Sequence, residues 1–383
     1  MIYLDNPATS RKKPICVLNS LFYNTVFNSI NAGRGTHKYS IRGACILNDA
    51  AERVASLFKI SSAERIAFTL NATYALNMAI NGVASDGGHV IVTSMEHNSV
   101  LRPVARLGNF TVVYAGEDGI VKTQDIENAI REDTVLIICT HASNVCGSIQ
   151  PIEEIGNVAR HNKLLFLVDA AQTAGSVDID VERMKIDLLA FSGHKGIMGP
   201  LGTGGLYVGE RANLKPFITG GTGSMSESLL QPEILPDMLH AGTVSLPAIA
   251  ALGRAAEFII ETGTETILAH ERRLALEFMN RVEKDNGVKI LGTMDIEKRN
   301  GTVAFVIEGI ESQRVAELLD KKFNIAVRGG WHCAYIAHKT LGTSESGAVR
   351  IGFGYYNTIF DAIMAARAVN VIAKRYKKGI LYV

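Results

Sequence analysis

A lysine among small and polar residues stands in Ser192-Gly193-His194-Lys195-Gly196, between the apolar run DLLAF and the glycine-rich GPLGTGG. A lysine that leaves the end of a buried strand is placed to meet a ligand at the strand ends of an open sheet. Its amine can also bond covalently to a carbonyl carbon. The alternative is a solvated surface lysine, because lysine is common on protein surfaces.

An aspartate has the same kind of position one strand earlier, where Asp169 ends the apolar run LLFLV and precedes Ala-Ala-Gln172. A carboxylate there is costly to bury unless a cation or a hydrogen-bond donor meets it. The alternative is a cap, in which the side-chain oxygen of Asp169 accepts from the start of the next helix. On its own, this string favours the cap.

Two more strings follow apolar runs. In LNAT a strand turns into a helix, so the free amides of Ala72 and Thr73 and the Thr73 hydroxyl could hold a phosphate. In MEHN the imidazole of His97 follows the strand HVIVTS. The alternatives are an ordinary helix start for Thr73 and a hydrogen-bonded core histidine for His97. Taken together, a reactive lysine, a carboxylate, a phosphate cup and a flat ring are the parts of a pyridoxal phosphate site.

The elements that carry these residues follow an alternating pattern. Short apolar runs predict strands at 65–70, 89–94 and 134–140, and in LLFLVDAAQ, DLLAFSGHKG and GGLYVG. Amphipathic segments such as TYALNMAINGVA and PIEEIGNVARHN predict helices between them. Strands that are apolar throughout and joined by helices indicate a sheet covered on both faces. We therefore expect an α/β domain.

A second, smaller α+β unit is predicted after a helix-rich stretch at 245–285, from GTVAFVIEG, SQRVAELLDKKFN, IAVRGG, AVRIGF and the long final helix. We expect a large domain at 16–245, a small domain at 246–383, and an N-terminal segment at 1–15 that packs with the small domain. The segment at 218–236 is polar and without periodicity, which favours a functional surface loop.

Composition excludes several classes of protein. Lys and Arg total 39 against 38 Asp and Glu, so the net charge is +1 and no basic field is available for nucleic acid. The hydrophobic content of 47% and the absence of a long apolar run do not fit a membrane protein. The opening MIYLDNPATSRKKP does not read as a signal peptide, so we expect a cytoplasmic protein. The five scattered cysteines predict neither disulfides nor a metal site.

One cysteine has an unusual setting, because Cys333 stands in GGWHCA with the chain's single tryptophan. A free cysteine is most often a buried core residue. The alternative is a nucleophile, which requires an exposed thiol beside a positive or polarising group. His332 is a candidate neighbour, and Gly329 and Gly330 are expected to supply backbone freedom.

These strings, in this order along nearly the whole chain, resemble the class V aminotransferase family of fold-type-I pyridoxal phosphate enzymes. The closest resemblance is to its cysteine desulfurase and selenocysteine lyase branch. The matching strings are YLDNPATS (3–10), RGTHKYS (34–40), MEHNS, HASNVCG (141–147), VDAAQ, SGHKGIMGPLGTG, HAGTVSLP (240–247), VRGGWHCA and VRIGFGYYNT. The resemblance implies the type I transferase fold, with a mainly parallel sheet in the large domain and a smaller α+β domain.

The resemblance also implies roles for individual residues. Lys195 would hold pyridoxal 5'-phosphate covalently and move the substrate α-proton, Asp169 would pair with the pyridine nitrogen, and His97 would stack on the ring. Gln172 would contact the ring oxygen. Phosphate contacts would come from Ala72, Thr73, Ser192, His194 and, from the second subunit of a homodimer, Thr243. Substrate-binding roles fall to Asn144, Arg350 and His37.

In the desulfurases a loop cysteine takes sulfur from L-cysteine, releasing alanine and leaving a persulfide for a sulfur acceptor. Cys333 matches that cysteine, since VRGGWHCA resembles the R-x-G-x-H-C-A string of the branch with the shorter loop. Departures from the pattern are Asn71-Ala72-Thr73 for Gly-Thr-Thr, Tyr74 for glutamate, Pro7 for alanine and Trp331 for histidine.

The predicted function is therefore a pyridoxal phosphate-dependent cysteine desulfurase with a homodimeric assembly. The alternatives are a selenocysteine lyase, a class V aminotransferase, epimerase or lyase on another amino acid, and a cofactor-binding interaction protein without turnover. Trp331 either narrows the pocket beside Cys333 or anchors the loop, and the anchor is favoured.

Overall fold

The computed structural model describes residues 1–33, 35–282 and 286–380, so Arg34 of the RGTHKYS string lies outside the described residues. In chain order the strands are β1 (Ile2–Tyr3), β2 (Ile66–Thr69), β3 (His89–Thr93), β4 (Phe110–Val113), β5 (Thr134–Thr140), β6 (Leu165–Asp169), β7 (Leu188–Ser192), β8 (Gly204–Val208), β9 (Val288–Leu291), β10 (Thr302–Ile307), β11 (Ile325–Ala326), β12 (Arg328–Gly330) and β13 (Ala348–Gly352).

The helices divide between the two parts of the chain. They are α1 (Ile15–Phe27), α2 (Lys38–Leu57), α3 (Ala72–Ala84), α4 (Asn98–Leu107), α5 (Thr123–Asn128), α6 (Ile152–His161), α7 (Leu246–Thr262), α8 (Thr264–Arg281), α9 (Ser312–Phe323), α10 (Tyr335–Thr340) and α11 (Ile359–Lys377). None of the helices in the described ranges is long and apolar enough to cross a membrane.

A seven-stranded sheet forms the centre of the large unit, in the order β2-β8-β7-β6-β5-β3-β4. The strands from β7 to β4 run parallel, whereas β8 pairs antiparallel with both of its neighbours. Alternate strand residues face two separate hydrophobic cores: Ile137 and Phe166 pack with α2, α6 and α7, whereas Ile138 and Leu167 pack with α3 and α4. The expected α/β fold with a mainly parallel, doubly covered sheet is confirmed.

The smaller unit is built on an antiparallel sheet in the order β12-β13-β10-β9. Its core joins these strands to α8, α9 and α11. The N-terminal segment contributes too, because Leu4 is fully buried in this core and β1 pairs with β11.

The boundary between the units is set by how α7 packs. Ile249, Leu252 and Ile259 of this helix are buried in the core of the large sheet together with α2. We therefore propose that the small unit begins after Gly263, which separates α7 from α8, rather than at residue 246. The association of residues 1–15 with the small unit stays a proposal, supported by the β1–β11 pairing.

Candidate active site

Five strands of the large sheet end at one edge, and a functional candidate follows each of them. These are β2, β3, β5, β6 and β7, followed by Thr73, His97, Asn144, Gln172 and Lys195. The carboxyl edge of an open parallel sheet is where such folds bind ligands. A cavity of about 240 Å³ lies there, lined by Asn71, Ala72, Thr73, Leu76, His97, Ser99, Thr140, Asn144, Asp169, Ala171, Gln172, Ser192, His194 and Lys195.

Lys195 lies in the turn that follows β7 and contributes to the wall of this cavity. Burial lowers the pKa of its ammonium group to about 8, and the cations Arg350 and Arg328 act in the same direction, while Asp169 opposes them. About a tenth of the amine is therefore neutral at pH 7, far more than for an ordinary lysine, and the neutral form is the one that reacts with a carbonyl carbon. The alternative of a solvated surface lysine does not fit this environment.

Asp169 ends β6 and is 4% exposed. The backbone N–H of Ala171 donates to its Oδ1 at 2.9 Å, so the carboxylate does cap the following turn. Burial raises the pKa of Asp169, against the opposing effects of the Ala171 hydrogen bond and the positive charge of Lys195. The cap and the ligand-facing role are compatible, since the same side chain lines the cavity.

His97 precedes α4, and its hydrogen bonds define its tautomer. The backbone N–H of Ser99 donates to Nδ1 at 3.0 Å, so the proton of the neutral ring is on Nε2. Burial and, to a smaller extent, the charges of Lys195, Arg350, Arg328 and Arg102 together lower the pKa of His97 to about 4. The ring is consequently uncharged at neutral pH, as a stacking partner for an aromatic ligand requires.

The phosphate-cup candidates lie at the start of α3 and after β7. The Ala72 N–H donates to the hydroxyl of Ser192 at 3.2 Å, and the Thr73 hydroxyl lies 2.7 Å from that of Ser99. The Nδ1 of His194 is buried with no partner in the part of the chain that is described. Helix amides, hydroxyls and an unsatisfied imidazole nitrogen together form an anion-binding end of the cavity.

Arg350 and Asn144 connect this cavity to the cysteine loop. Arg350 is 2% exposed; it donates to the Asn144 carbonyl at 2.8 Å and to Asp5 Oδ1 at 2.9 Å. Its Nε is buried and lacks a partner among the described residues, so one donor remains for a ligand. The Asn144 side-chain amide donates in turn to the His332 carbonyl at 2.8 Å.

Cys333 lies in a short connection, residues 331–334, between β12 and α10. The loop is tied at several points: Asn98 N–H donates to the Cys333 carbonyl at 2.7 Å, and the Trp331 indole donates to the Ser344 carbonyl at 2.8 Å. Both His332 and Cys333 have left-handed backbone conformations, with φ of 50° and 57°. Such conformations persist only where surrounding contacts hold them, and they cluster at functional sites.

The expected backbone freedom is found at Gly330, whose φ of 115° is a conformation that favours glycine, whereas Gly329 is required for a different reason. Both residues lie in β12 and pair with β13, and a Cβ at Gly329 would overlap the carbonyl oxygen of Ser312. Close packing therefore requires the glycine at 329. The interpretation of Trp331 as an anchor finds support in its hydrogen bond, although the side chain is 42% exposed and does not anchor by burial.

The Cys333 thiol is exposed, and it is the sulfur of the five cysteines that opens onto a cavity next to His97. The Arg328 guanidinium donates to Sγ at 3.9 Å. His332, the neighbour expected from the sequence, instead donates from Nε2 to the Ala348 carbonyl at 3.0 Å and is 2% exposed, so it positions the loop. The polarising neighbour is Arg328, which the sequence interpretation did not single out.

Four predicted residues are not among those that line this cavity: Arg350 and Cys333, described above, and Thr243 and His37. Thr243 is exposed in the connection before α7, and His37 is exposed at the start of α2, where its Nδ1 accepts from the Ser40 N–H. Neither is among the residues that line the cavity. Their roles stay predictions, and the prediction for Thr243 depends on a second subunit.

Two other residues near the site were not assigned a role from the sequence. Asp5, within YLDNPATS, pairs with Arg350 across 345 residues of sequence. Glu96 is fully buried; its Oε1 accepts from the Thr93 hydroxyl and the Thr140 N–H, joining the ends of β3 and β5. Burial raises the pKa of Glu96 to about 8. In the sequence, the only indication of a role for Glu96 was its position directly before His97.

The family model described as Aminotransferase class-V matches residues 2–362. The chain belongs to the class-V aminotransferase family. Two curated members of the family are similar over most of their length and are named as probable cysteine desulfurases. One, from Methanothermobacter thermautotrophicus, is 34% identical, with 97% of this chain and 94% of the relative covered. The other, from Halalkalibacterium halodurans, is 35% identical, with 96% of this chain and 92% of the relative covered.

A solved family structure supports the same assignment of the fold. The apo structure of cysteine desulfurase from Thermococcus onnurineus NA1 superposes with a TM-score of 0.91 at 30% identity, covering 97% of this chain and 94% of that chain. The expected resemblance to the class V family and its desulfurase branch is confirmed.

Proposed function

We propose that this chain is a pyridoxal phosphate-dependent cysteine desulfurase that converts L-cysteine to L-alanine and carries the sulfur as a persulfide on Cys333. The observation that carries the proposal is the placement of two reactive groups in cavities that both border His97. Lys195 lines one cavity, Cys333 lines the next, and the two cavities share Thr73, His97 and Ser99.

The residues of the first cavity fit pyridoxal phosphate. Its anion-binding end, with the unsatisfied Nδ1 of His194, suits the phosphate, and the buried carboxylate of Asp169 suits the pyridine nitrogen. Lys195 supplies an amine with a lowered pKa. When bound, the cofactor supplies an aldehyde carbon for amines and an electron-accepting ring that stabilises negative charge at the substrate α-carbon.

The chain's own residues would bind the substrate and move its protons. Arg350, with a free Nε, and Asn144 would bind the carboxylate of L-cysteine, because guanidinium donors match carboxylate oxygens. The Lys195 amine would accept the α-proton and return it. The neutral ring of His97 would hold the ring plane, and the buried walls would exclude water.

Cys333 would accept the sulfur atom. Its thiol and L-cysteine give L-alanine and the Cys333 persulfide: the carbon–sulfur bond of the substrate breaks, one sulfur–sulfur bond forms, and no net oxidation occurs. The Arg328 guanidinium lies 3.9 Å from Sγ and is the cation next to the attacking sulfur. The sulfur would then leave on an acceptor.

A homodimer is part of this proposal. Apolar side chains on one face of α1 are exposed, and exposed apolar patches of this kind mark interfaces. They are Ile15, Leu18, Phe22 and Val26, with exposures of 71%, 45%, 71% and 55%. A second copy on this face is the occupant that we propose, because the predicted phosphate contact from Thr243 requires one.

The test is mass spectrometry of the intact protein after loading with pyridoxal phosphate and incubation with L-cysteine. We expect one added sulfur, located on Cys333 by peptide mapping, together with release of alanine. Cys333→Ala should form no persulfide and should lose sulfide release, because no other thiol lines the cavity shared with His97. Cys45→Ala, which removes another exposed thiol, is the matched control.

Two outcomes would contradict the proposal. Normal desulfuration of cysteine by Cys333→Ala would remove the nucleophile assignment. Turnover of selenocysteine but not of cysteine by the unaltered protein would identify a selenocysteine lyase instead.

A further inference from the structure

A second cavity opens beside Cys333, and His97 lines both this cavity and the one that Lys195 lines. We call it the arginine pocket; its volume is about 360 Å³, and its lining residues are Thr73, Asn77, His97, Asn98, Ser99, Arg102, Pro103, Arg106 and Cys333. This volume lies within the range of pockets that bind small molecules, which is roughly 300–1,000 Å³. Neither the cofactor nor L-cysteine, as proposed above, uses its arginine wall.

The pocket is strongly cationic. Its lining contains two arginines and no carboxylate, and Arg328 adds a third guanidinium beside the Cys333 sulfur. The pKa of His97 agrees with this positive charge, since the charges that lower it belong to cations, Arg102 and Arg328 among them. A concave site lined by one sign of charge concentrates ligands of the opposite sign.

The two arginines of the pocket differ in how they are held. Arg106 donates to the side-chain oxygen of Asn81 at 2.6 Å, which fixes one edge of its guanidinium. Arg102 is exposed and makes neither a hydrogen bond nor an ion pair with any residue that the structure describes. A guanidinium with all its donors available is suited to bind a carboxylate or sulfonate through two parallel hydrogen bonds, in a bidentate geometry.

We propose that the arginine pocket binds a small thiol that carries a carboxylate or sulfonate group, and that this thiol removes the sulfur from Cys333. The inference rests on the proposed function, which supplies the persulfide. The thiolate of the ligand attacks the outer sulfur of the Cys333 persulfide and forms a new sulfur–sulfur bond. The bond to Sγ breaks, Cys333 leaves as the thiolate, and the outer proton stays with the transferred sulfur.

The volume of the pocket suits a small ligand. Arg102 and Cys333 both line it, so one small molecule can contact the guanidinium and the sulfur together. A small thiol can do so with its anionic end on the arginines. An acidic protein would have to insert a thiol-bearing segment, and it is therefore treated as an outcome of the test.

The experiment measures discharge of the persulfide from protein that has been loaded with cysteine and desalted, per mole of persulfide present. The acceptors are mercaptopropionate, mercaptoethanesulfonate, mercaptoethanol and cysteamine, compared at equal thiolate concentration. We expect the anions to be faster than mercaptoethanol by about tenfold at low salt and cysteamine to be slowest. The double variant Arg102→Gln/Arg106→Gln should remove most of this advantage, whereas Arg273→Gln, an exposed arginine of α8, should keep it.

A second measurement separates this inference from the proposed function. In the cofactor-free chain with Cys16→Ser and Cys45→Ser, thiol–disulfide exchange at Cys333 is followed with anionic dithiobis(nitrobenzoate) and uncharged dithiodipyridine. An arginine-dependent preference for the anion here, without persulfide formation from cysteine, would support the pocket and contradict the desulfurase. Persulfide formation with equal discharge by anionic and neutral thiols would leave the desulfurase and overturn the pocket.

Two further results would also overturn the inference. One is an anion advantage that the double variant leaves unchanged. The other is the same arginine-dependent advantage for a thiol on an acidic polymer too large to enter the pocket, which would assign the arginines to an acidic protein surface.

Discussion

At the residue scale, burial acts in opposite directions on the two charged groups that face the first cavity. It lowers the pKa of Lys195 and raises the pKa of Asp169, because each group loses water around its charged form. Each charge in turn opposes the shift of the other. The result is an amine that is partly neutral near neutral pH while a carboxylate stays within its electrostatic reach.

This balance predicts the pH profile of Lys195 reactivity in the cofactor-free chain. Since only the neutral amine reacts, acetylation of Lys195 by acetic anhydride should rise with pH and level off above about 8. Asp169→Asn removes a charge that raises this pKa, so its profile should shift to lower pH. Peptide mass spectrometry quantifies the label, with exposed Lys322 as the internal control for the reagent.

Two observations would contradict this account of Lys195. One is a labelling rate that continues to rise as it does for an unperturbed lysine, whose pKa is roughly 10.4. The other is a profile for Asp169→Asn that moves to higher pH.

At the element scale, β12 and α10 determine where the nucleophile candidate lies. Cys333 occupies the short connection between them, and hydrogen bonds from Asn98 and Asn144 tie that connection to the strand ends of the large sheet. A small core of residues from both units, including Met95, Ala334 and Ala348, packs beneath it. The thiol is therefore positioned by packing, even though it is exposed.

The packing of β12 predicts that Gly329→Ala lowers the free energy of unfolding. The added methyl group would overlap the carbonyl of Ser312 at the start of α9, so the strand has to move. We expect a loss of about 1–3 kcal/mol in the free energy of unfolding, measured by urea titration. The persulfide yield at Cys333 should fall as well.

Gly221→Ala is the matched control for this substitution. A Cβ at Gly221 meets no atom within 4 Å, so its stability should be unchanged. Equal stability of the two variants would show that β12 adapts and would contradict the packing account.

At the scale of the whole molecule, the candidate site lies where the two units meet. Arg350 and Cys333 come from the small unit, Asp5 comes from the N-terminal segment, and Lys195 comes from the large unit. The exposed apolar face of α1 and the exposed Thr243 lie outside this junction, and they are the residues on which the proposed homodimer rests.

The proposed homodimer predicts that a charge on the α1 face separates the subunits. Phe22 is 71% exposed, and Phe22→Glu would place a carboxylate in the interface, where burial without a partner is costly. Analytical ultracentrifugation should show a dimer for the unaltered chain. For the variant it should show a monomer, or a dimer whose affinity is at least tenfold lower, which corresponds to about 1.4 kcal/mol.

Val371→Glu, at a half-exposed position of α11, is the control for surface charge and should stay dimeric. A monomeric unaltered chain would remove the dimer from the proposal. So would a Phe22→Glu variant that dimerises as tightly as the unaltered chain.

Much of the large sheet could be predicted from local patterns. The segment TVLIICT forms β5 over the expected range, 134–140, because a strand covered on both faces has to be apolar throughout. α1 was not predicted as an element: most residues of ICVLNSLFYNTVF are apolar, several of these side chains are exposed, and the polar Asn24 is buried, so the usual match of apolar residues with the buried face is missing.

Many of the site residues could be predicted from the sequence because they follow strands that end at one edge of the sheet. That shared edge is a consequence of the local alternation of strand and helix. Their partners were not. Asp5 meets Arg350 across 345 residues, and Arg328 and Arg102 approach Cys333 from separate elements. Contacts between distant segments depend on how the two units pack, and no short-range pattern in the chain records that packing.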